Sequence, residues 1–471
     1  MKVWDSKSGH PEKVNAGDTL IAKANELHLQ GKFAEAELIY GQLLEQNYNN
    51  TGLMATLGSL YVQNQQWGLG IHFLQMAMDL GLKEPDAYTN LAMAYQKSGQ
   101  YDKARGWYEK SIEGESTPEA LTNYSGMFIE SGDAEKCIAM CEKAIKENPG
   151  IAMAHWNLAL ALLGEGRWDR AWEEHEWGIG LKGLREDRDV LGVSRWDGAP
   201  GKTVLIYGEQ GLGDEIMFAS MLPDLLKTNK VVLECQSRLE TLFRKAFPQL
   251  EAVYGTRWDE DISWGANHKV DARLAIGSLG KFYRRSRDAF PGAAYLKADP
   301  LPKGEKFRVG ISWQGGGHKL GRVQKRSVPL TWWKSILNVP NAEFVSLQYT
   351  DCKEELDVMD ALGYDIKRME EYVKAEDYNE TARLVASCDL VISVCTSVIH
   401  LAGALGVPCW CAVPRFPAWR YQNVGGMPWY RSVRLYRQPE PKQDAWVQVL
   451  ERLGYDLDQL VHGRAQKQKV A

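Results

Sequence analysis

Nowhere in the 471 residues do about eighteen apolar residues run together, so no membrane span is expected. The opening Met1-Lys2-Val3-Trp4-Asp5-Ser6-Lys7 lacks the apolar core of a signal peptide, and the chain is expected in the cytoplasm. Cysteine is sparse, 8 residues in all, too few for a disulfide scaffold at this length. Cys235, Cys388, Cys409 and Cys411 fall in apolar stretches where a reduced thiol behaves as a small hydrophobe. Cys409 and Cys411 share one face of an expected strand, and Cys137 and Cys141 lie one helical turn apart. Neither pair has a nearby His or further Cys to complete a zinc set, so no metal is expected. Proline is scarce too: 18 against 44 glycines favours tight turns and close backbone approaches over polyproline spacers.

What remains is an ordinary globular composition, 44% hydrophobic and 25% charged, which excludes a largely disordered or collagen-like chain. At about 150 residues per domain, two or three domains are expected. Tryptophan is high at 17. The net charge of −5 is uneven: residues 1–195 hold 19 Lys+Arg against 28 Asp+Glu, the rest 37 against 33. An acidic front half disfavours docking on a phosphate backbone, and a mildly basic rear half suits a small anionic ligand.

The first 185 residues repeat with a period of about 34, the length of a helical hairpin and its connection. Residues 85–117 read Leu91-Ala92, Tyr95, Gly99, Tyr101, Ala104, Tyr108. Similar slots recur at Gly31, Phe33, Ala36 and Tyr40; at Gly58, Tyr61, Trp67 and Gly70; at Gly132, Cys137, Ala144 and Pro149; and at Leu158-Ala159, Leu162, Gly166, Trp168 and Ala171. Small residues let paired helices approach, glycine supplies a left-handed turn, and aromatics fill the groove between helices. Trp67, Trp107, Trp156, Trp168, Trp172 and Trp177 mostly fall in or near these packing slots. About five units, over 17–185, resemble a tetratricopeptide repeat array, an α-solenoid whose concave face suits a peptide or partner protein. The alternative is a spacer or dimerisation platform.

After the charged stretch Leu184–Arg195 and the turn-rich Trp196-Asp197-Gly198-Ala199-Pro200-Gly201, the pattern changes to short apolar runs followed by helices. Strands are expected at 203–207, 231–234, 252–254 and 272–276, with a helix from about 215 to 227. A second set is expected at 307–313, 343–348, 390–394 and 408–413, with a helix through Leu405. Alternation of this kind means two parallel sheets with helices on both faces, and a cleft at the carboxyl ends of their strands.

The loops at those ends carry the candidate chemistry. Gly208-Glu209-Gln210-Gly211-Leu212-Gly213-Asp214 lacks the Gly-Lys-[Ser/Thr] of a nucleotide P-loop and the spacing of a dinucleotide fingerprint. It places the carboxylate of Asp214 at a helix N-terminus, where it serves as a base or anchors a hydroxyl, or merely caps the helix. Thr396 and Ser397 lie where a strand turns into a helix, a place for a phosphate or diphosphate, with His400 one turn further on. Taken alone, His400 reads as an interior histidine. Gln314-Gly315-Gly316-Gly317-His318-Lys319 leads to Arg322, Lys325 and Arg326, a basic loop able to close over a diphosphate or simply to lie in solvent. Asp259-Glu260-Asp261 has the form of a metal-holding motif but follows no convincing buried strand, and no metal is assigned to it.

Four segments are taken together: Tyr207–Ile216, Gly310-Ile311-Ser312-Trp313, Arg326-Ser327-Val328-Pro329-Leu330 and Val394–Gly406 with its Thr396-Ser397-Val398-Ile399-His400. In this order and beside the repeats, they resemble the bacterial and phage tetratricopeptide-repeat glycosyltransferases. The catalytic region of that family is similar to heptosyltransferases of the GT-B fold. The resemblance covers essentially the whole chain. It implies a repeat array over 1–195, an acceptor-side Rossmann-like lobe over 196–304, a nucleotide-sugar lobe over 305–440, and a C-terminal helix and tail over 441–471. It implies an enzyme that moves a sugar from a nucleotide-diphosphate donor to an acceptor hydroxyl, with no metal or other cofactor required. Asp214 is then the base, and Thr396, Ser397, His400, Arg326 and Lys319 bind the donor with Trp313, Gln314 and Cys395. Gln210, Trp419 and Arg420 become acceptor or base contacts, and Trp429-Tyr430 a further aromatic cover. The acceptor is a protein, a glycan or a modified nucleic acid, and the repeats recruit it or a protein partner. The chain departs from many relatives at Cys395, where they carry aspartate. That departure supports the alternative of a repeat-based adaptor with a non-catalytic GT-B region.

Overall fold

Helix formation in the first third follows from alternating small and aromatic residues on one face of each segment. The computed structural model describes residues 16–114, 116–189, 191–259, 263–315 and 326–470. Ten helices follow one another through short connections: α1 (Ala16–Leu29), α2 (Phe33–Gln46), α3 (Thr51–Gln63), α4 (Trp67–Asp79), α5 (Pro85–Lys97), α6 (Tyr101–Ser111), α7 (Pro118–Ser131), α8 (Ala134–Glu147), α9 (Ala152–Gly164) and α10 (Trp168–His175). The small residues Ala36, Ala104 and Ala171 are fully buried, and the turns at Gly31, Gly99 and Gly166 have φ of 74°, 82° and 73°, as the repeat predicts. The turn between α3 and α4 differs: its left-handed residue is Gln65, at φ 62°. Gly58 and Gly70 mark the crossing of α3 and α4 instead, where a Cβ on Gly58 would sit 2.7 Å from Leu74 Cγ.

The chain forms two compact units, one of the residues up to Met127 with Lys146–Asn148, the other of Phe128–Ile145 and the residues from Pro149 onward. In the first, Ala24, Ala36, Tyr40, Leu57, Leu60 and Tyr61 make a core between successive helices. The second holds α9, α10, most of α8 and two sheets.

All strand pairs in both sheets are parallel. The first sheet contains β1 (Thr203–Tyr207), β2 (Lys230–Glu234), β3 (Ala252–Tyr254) and β4 (Ala272–Ala275), in the order β3-β2-β1-β4. The second contains β5 (Phe307–Ser312), β6 (Ala342–Ser346), β7 (Ile366–Lys367), β8 (Leu390–Val394), β9 (Cys409–Val413) and β10 (Val433–Arg437), in the order β10-β9-β8-β5-β6-β7. Strand order therefore reverses beside β1 in one sheet and beside β5 in the other. A crevice opens at such switch points.

Two strands escape the sequence reading for local reasons. β7 has only two residues, and β10 carries arginines at 434 and 437 along a sheet edge. The helix expected over 215–227 is two helices, α11 (Leu212–Ala219) and α12 (Leu222–Leu225). Pro223 at the start of α12 has no N–H to continue the first ladder.

The charged stretch Leu184–Arg195 is not simply a solvated joint. Arg185 is fully buried and makes a two-pronged contact with buried Glu209 at 2.8 and 2.7 Å, and Arg188 does the same to buried Glu234 at 2.6 and 2.8 Å. Both glutamates sit at carboxyl ends of the first sheet. The segment is thereby tied to β1 and β2. No helix among the described residues is long and apolar enough to cross a membrane.

Candidate functional site

The reversal points of the two sheets open into one cleft of about 240 Å³ within the second unit. From the first sheet come Leu212, Gly213, Asp214 and Arg238; from the second come Arg326, Tyr378, Cys395, Thr396, Ser397, His400, Arg420 and Tyr421. Among the described residues its charged side chains are Arg238, Arg326, Arg420 and Asp214, so cations outnumber carboxylates and the site favours an anion.

Asp214 lies in the first turn of α11. One carboxylate oxygen accepts the Gly211 N–H at 3.2 Å, closing the loop that leaves β1. The other accepts from Arg420, an ion pair between the first sheet and the loop after β9. The capping role and the candidate base thus coincide in one side chain.

Facing it is the start of the helix Ser397–Leu405, which follows β8. Thr396 is its N-cap: the hydroxyl accepts the Val398 N–H at 3.3 Å and lies 3.2 Å from Ser393 Oγ. Ser397 Oγ accepts from the Tyr378 hydroxyl at 3.4 Å. The two helix starts approach so closely that a Cβ on Gly213 would lie 3.0 Å from His400 Cδ2 and 3.2 Å from Ser397 Cα. The glycine of the Gly-Asp pair is thus explained by contact across the cleft.

Arg326 distinguishes the site. Its Nε is buried, and it has no hydrogen-bond partner among the described residues. The side chain is only partly buried, but a buried polar atom without a partner is costly, and an anion beside it removes the cost. Arg238 is better held, donating to the Ala375 carbonyl at 2.9 Å and lying 5.1 Å from the centre of the Tyr378 ring. His400 is buried, and burial together with neighbouring Arg420 holds its imidazole well below the usual range, so the ring is neutral at pH 7. Its Nδ1 lies 3.4 Å from the Tyr430 hydroxyl. Cys395 Sγ lies 3.9 Å from Cys411 Sγ. Burial pushes the Cys395 thiol up, but the Cys411 contact and the Arg326 charge outweigh it, and the thiol falls below its ordinary range.

The structure brings Asp214, Arg326, Cys395, Thr396, Ser397, His400 and Arg420 together. It does not bring Trp313, Gln314, Trp419 or Gln210 to the cleft lining. Trp313 is fully buried in the core of the second sheet and donates to Glu355 at 3.0 Å. Gln314 is engaged by Glu355 at 2.5 Å and by Gln348. Trp419 packs among Trp172, Phe218 and Trp429, and Tyr421, two residues on, reaches the cleft in its place. Gln210 has φ 61° and a buried amide Nε2 with no partner among the described residues. Trp429 and Tyr430 are buried. Lys319 lies outside the described residues, as do Glu260 and Asp261.

Two lining residues escape sequence reasoning. Arg238 lies just past the carboxyl end of β2, so the strand-end rule is a usable signal for it. Tyr378 starts the helix Tyr378–Ala386, and nothing local marks it.

Two family models described as tetratricopeptide repeat match residues 85–113 and 128–174. The chain is 32% identical to Protein FlbA of Caulobacter vibrioides, over 90% of this chain and 70% of that protein. Solved structures it is similar to include MamA, at 22% identity and a TM-score of 0.30, covering 35% of this chain and 92% of that one. Another is a thermophilic tetratricopeptide repeat protein of Thermus thermophilus, at 19% identity and a TM-score of 0.30, covering 32% of this chain and 84% of that one.

Proposed function

This chain belongs to the family of Protein FlbA, and we propose that it is a glycosyltransferase that takes a nucleotide-diphosphate sugar in the cleft between its two sheets. The observation that carries the reading is Arg326, a partly buried cation whose buried Nε has no hydrogen-bond partner among the described residues, in a cleft it shares with the helix start at Ser397 and the Asp214 carboxylate. The two sheets are read as the paired lobes of a GT-B enzyme. The tetratricopeptide repeats, which suit protein interaction, recruit the acceptor or a protein that carries it.

In this reading the diphosphate lies at Ser397 and the start of the following helix, with Arg326 and Arg238 beside it. A hydroxyl oxygen of the acceptor attacks the anomeric carbon of the donor, and the bond from that carbon to the diphosphate oxygen breaks. The hydroxyl proton passes to the Asp214 carboxylate, and the nucleoside diphosphate leaves with the bonding electron pair, stabilised by the arginines and the helix N–H groups. His400, neutral and buried, orients the ligand without supplying charge. Arg420 pairs with Asp214 before donor binds, and a bound diphosphate offers that guanidinium a second anion, leaving the carboxylate freer to accept a proton.

Asp214→Asn keeps the shape but not the base. It is expected to lower sugar transfer about 100-fold or more, read as nucleoside diphosphate release from a donor panel in the presence of acceptor. Full turnover in Asp214→Asn would remove Asp214 from the reaction. The Arg420–Asp214 ion pair also favours a second reading, an adaptor in which the carboxylate is a structural partner. Such a protein binds its partner through the repeats and releases no nucleotide from any donor.

A further inference from the structure

The loop from Phe416 to Asn423 follows β9, yet its outer half is held by the last helical pair of the repeats. Gln422 donates through Nε2 to the Leu163 carbonyl at 2.7 Å. Asn423 donates through its backbone N–H to the Gly164 carbonyl at 3.0 Å and through Nδ2 to Glu165 Oε1 at 2.6 Å. Leu163 and Gly164 end α9, where helix carbonyls have no intrahelical donor and accept from outside. The glycine at 166 turns the chain away beneath the clamp, and a Cβ there would meet Gln422 Oε1 at 3.3 Å. Phe416 packs on the glycine turn that precedes α8: a Cβ on Gly132 would fall 2.1 Å from its ring. From the other side, Arg437 donates to the Tyr421 and Gly425 carbonyls at 2.8 and 3.0 Å.

Gln422 itself has φ 55° and ψ 153°, a backbone conformation that residues with a side chain rarely adopt. Such a conformation persists only when its surroundings over-determine it. Two residues earlier in the same loop, Arg420 reaches Asp214.

We propose that Gln422 and Asn423 are positioning residues for the cleft, which clamp this loop to the end of α9 and so hold Arg420 against Asp214. An arginine side chain has many rotamers, and ordering it needs a fixed backbone behind it. The clamp supplies that backbone from the last helical pair, so the end of the repeat array sets the placement of the Arg420 guanidinium. The consequence for transfer rests on the reading of Asp214 as the base; the mechanical link does not.

The test is hydrogen exchange on the full chain, followed by mass spectrometry, for Gln422→Ala, Asn423→Ala and Glu165→Ala. Exchange in peptides covering 210–216 is expected to rise about fivefold or more, while peptides covering β8 stay as in the wild type. Glu165→Gln, which still offers Asn423 an acceptor, should return exchange toward the wild-type rate. If a donor is turned over, kcat should fall in the clamp variants while the donor KM changes less than about twofold. Looser exchange confined to 416–426, with 210–216 unchanged in all three variants, would overturn the proposal. Should Gln422→Ala fail to fold, the Asn423 and Glu165 variants decide alone. Absence of turnover in the wild type would count against the transferase reading and leave the exchange result to judge the clamp.

Discussion

Arg185→Ala is expected to destabilise the second unit by about 3–5 kcal/mol, the range seen when one member of a buried ion pair is removed. Besides its two contacts to Glu209, Arg185 donates to Glu176 at 3.0 Å, to the His175 carbonyl at 3.0 Å and to Ser278 at 2.8 Å. Without it, Glu209 keeps the Gly277 N–H, at 2.9 Å, and a carboxylate with no exposure to water is left uncompensated. His175 offers no substitute charge. Its Nδ1 lies 2.9 Å from Arg185, and burial, the larger cause that holds the ring neutral, persists when the arginine is gone. Arg185→Lys should fall between, because an ammonium cannot reproduce the planar fork. Urea denaturation at neutral pH reads the loss directly. The double variant Arg185→Met with Glu209→Leu should recover much of it, since it leaves no fully buried charge unpaired and Glu176, which also loses the arginine, is partly open to water. A loss below about 0.5 kcal/mol in Arg185→Ala, the scale of an ordinary surface change, would show that the network contributes little.

The second large effect concerns binding. Arg326→Ala should weaken a nucleoside diphosphate by about 30-fold or more, equivalent to about 2 kcal/mol, because it removes a partly buried positive charge from the cleft. A surface lysine removed elsewhere would alter association rate and salt dependence instead. Arg326 Nε makes no hydrogen bond among the described residues and the side chain is only partly buried, so its loss should leave folding almost unchanged. Thermal unfolding and calorimetric titration of the same variant separate the two effects. Unchanged affinity would move the diphosphate away from the start of the helix at Ser397.

The repeats are legible in the sequence because their signals are local. A glycine such as Gly99 announces its left-handed turn from its neighbours, and Ala104 its helix crossing. The sheets are legible as apolar runs, but strand order depends on partners far apart in sequence. β10, an edge strand with arginines at two positions, has no such run. Charge is the hardest to read. Arg185 and Arg188 look like part of a solvated joint until Glu209 and Glu234, at the ends of β1 and β2, receive them. At the site, Asp214, Thr396 and Ser397 can be named because strand-to-helix turns place side chains at the mouth of a parallel sheet. Trp313 stands at a similar turn, but its ring points into the core. Trp419 lies in an aromatic loop that packs on α10 rather than opening onto ligand. Tyr378 reaches the cleft through tertiary packing alone.

The most direct measurement of the central claim is calorimetric titration of the full chain with a panel of nucleoside diphosphates and their sugars, with and without a chelator. At least one of them is expected to bind with one site per chain, with an affinity that Arg326→Ala weakens and the chelator does not. Heats indistinguishable from dilution across the whole panel would contradict it.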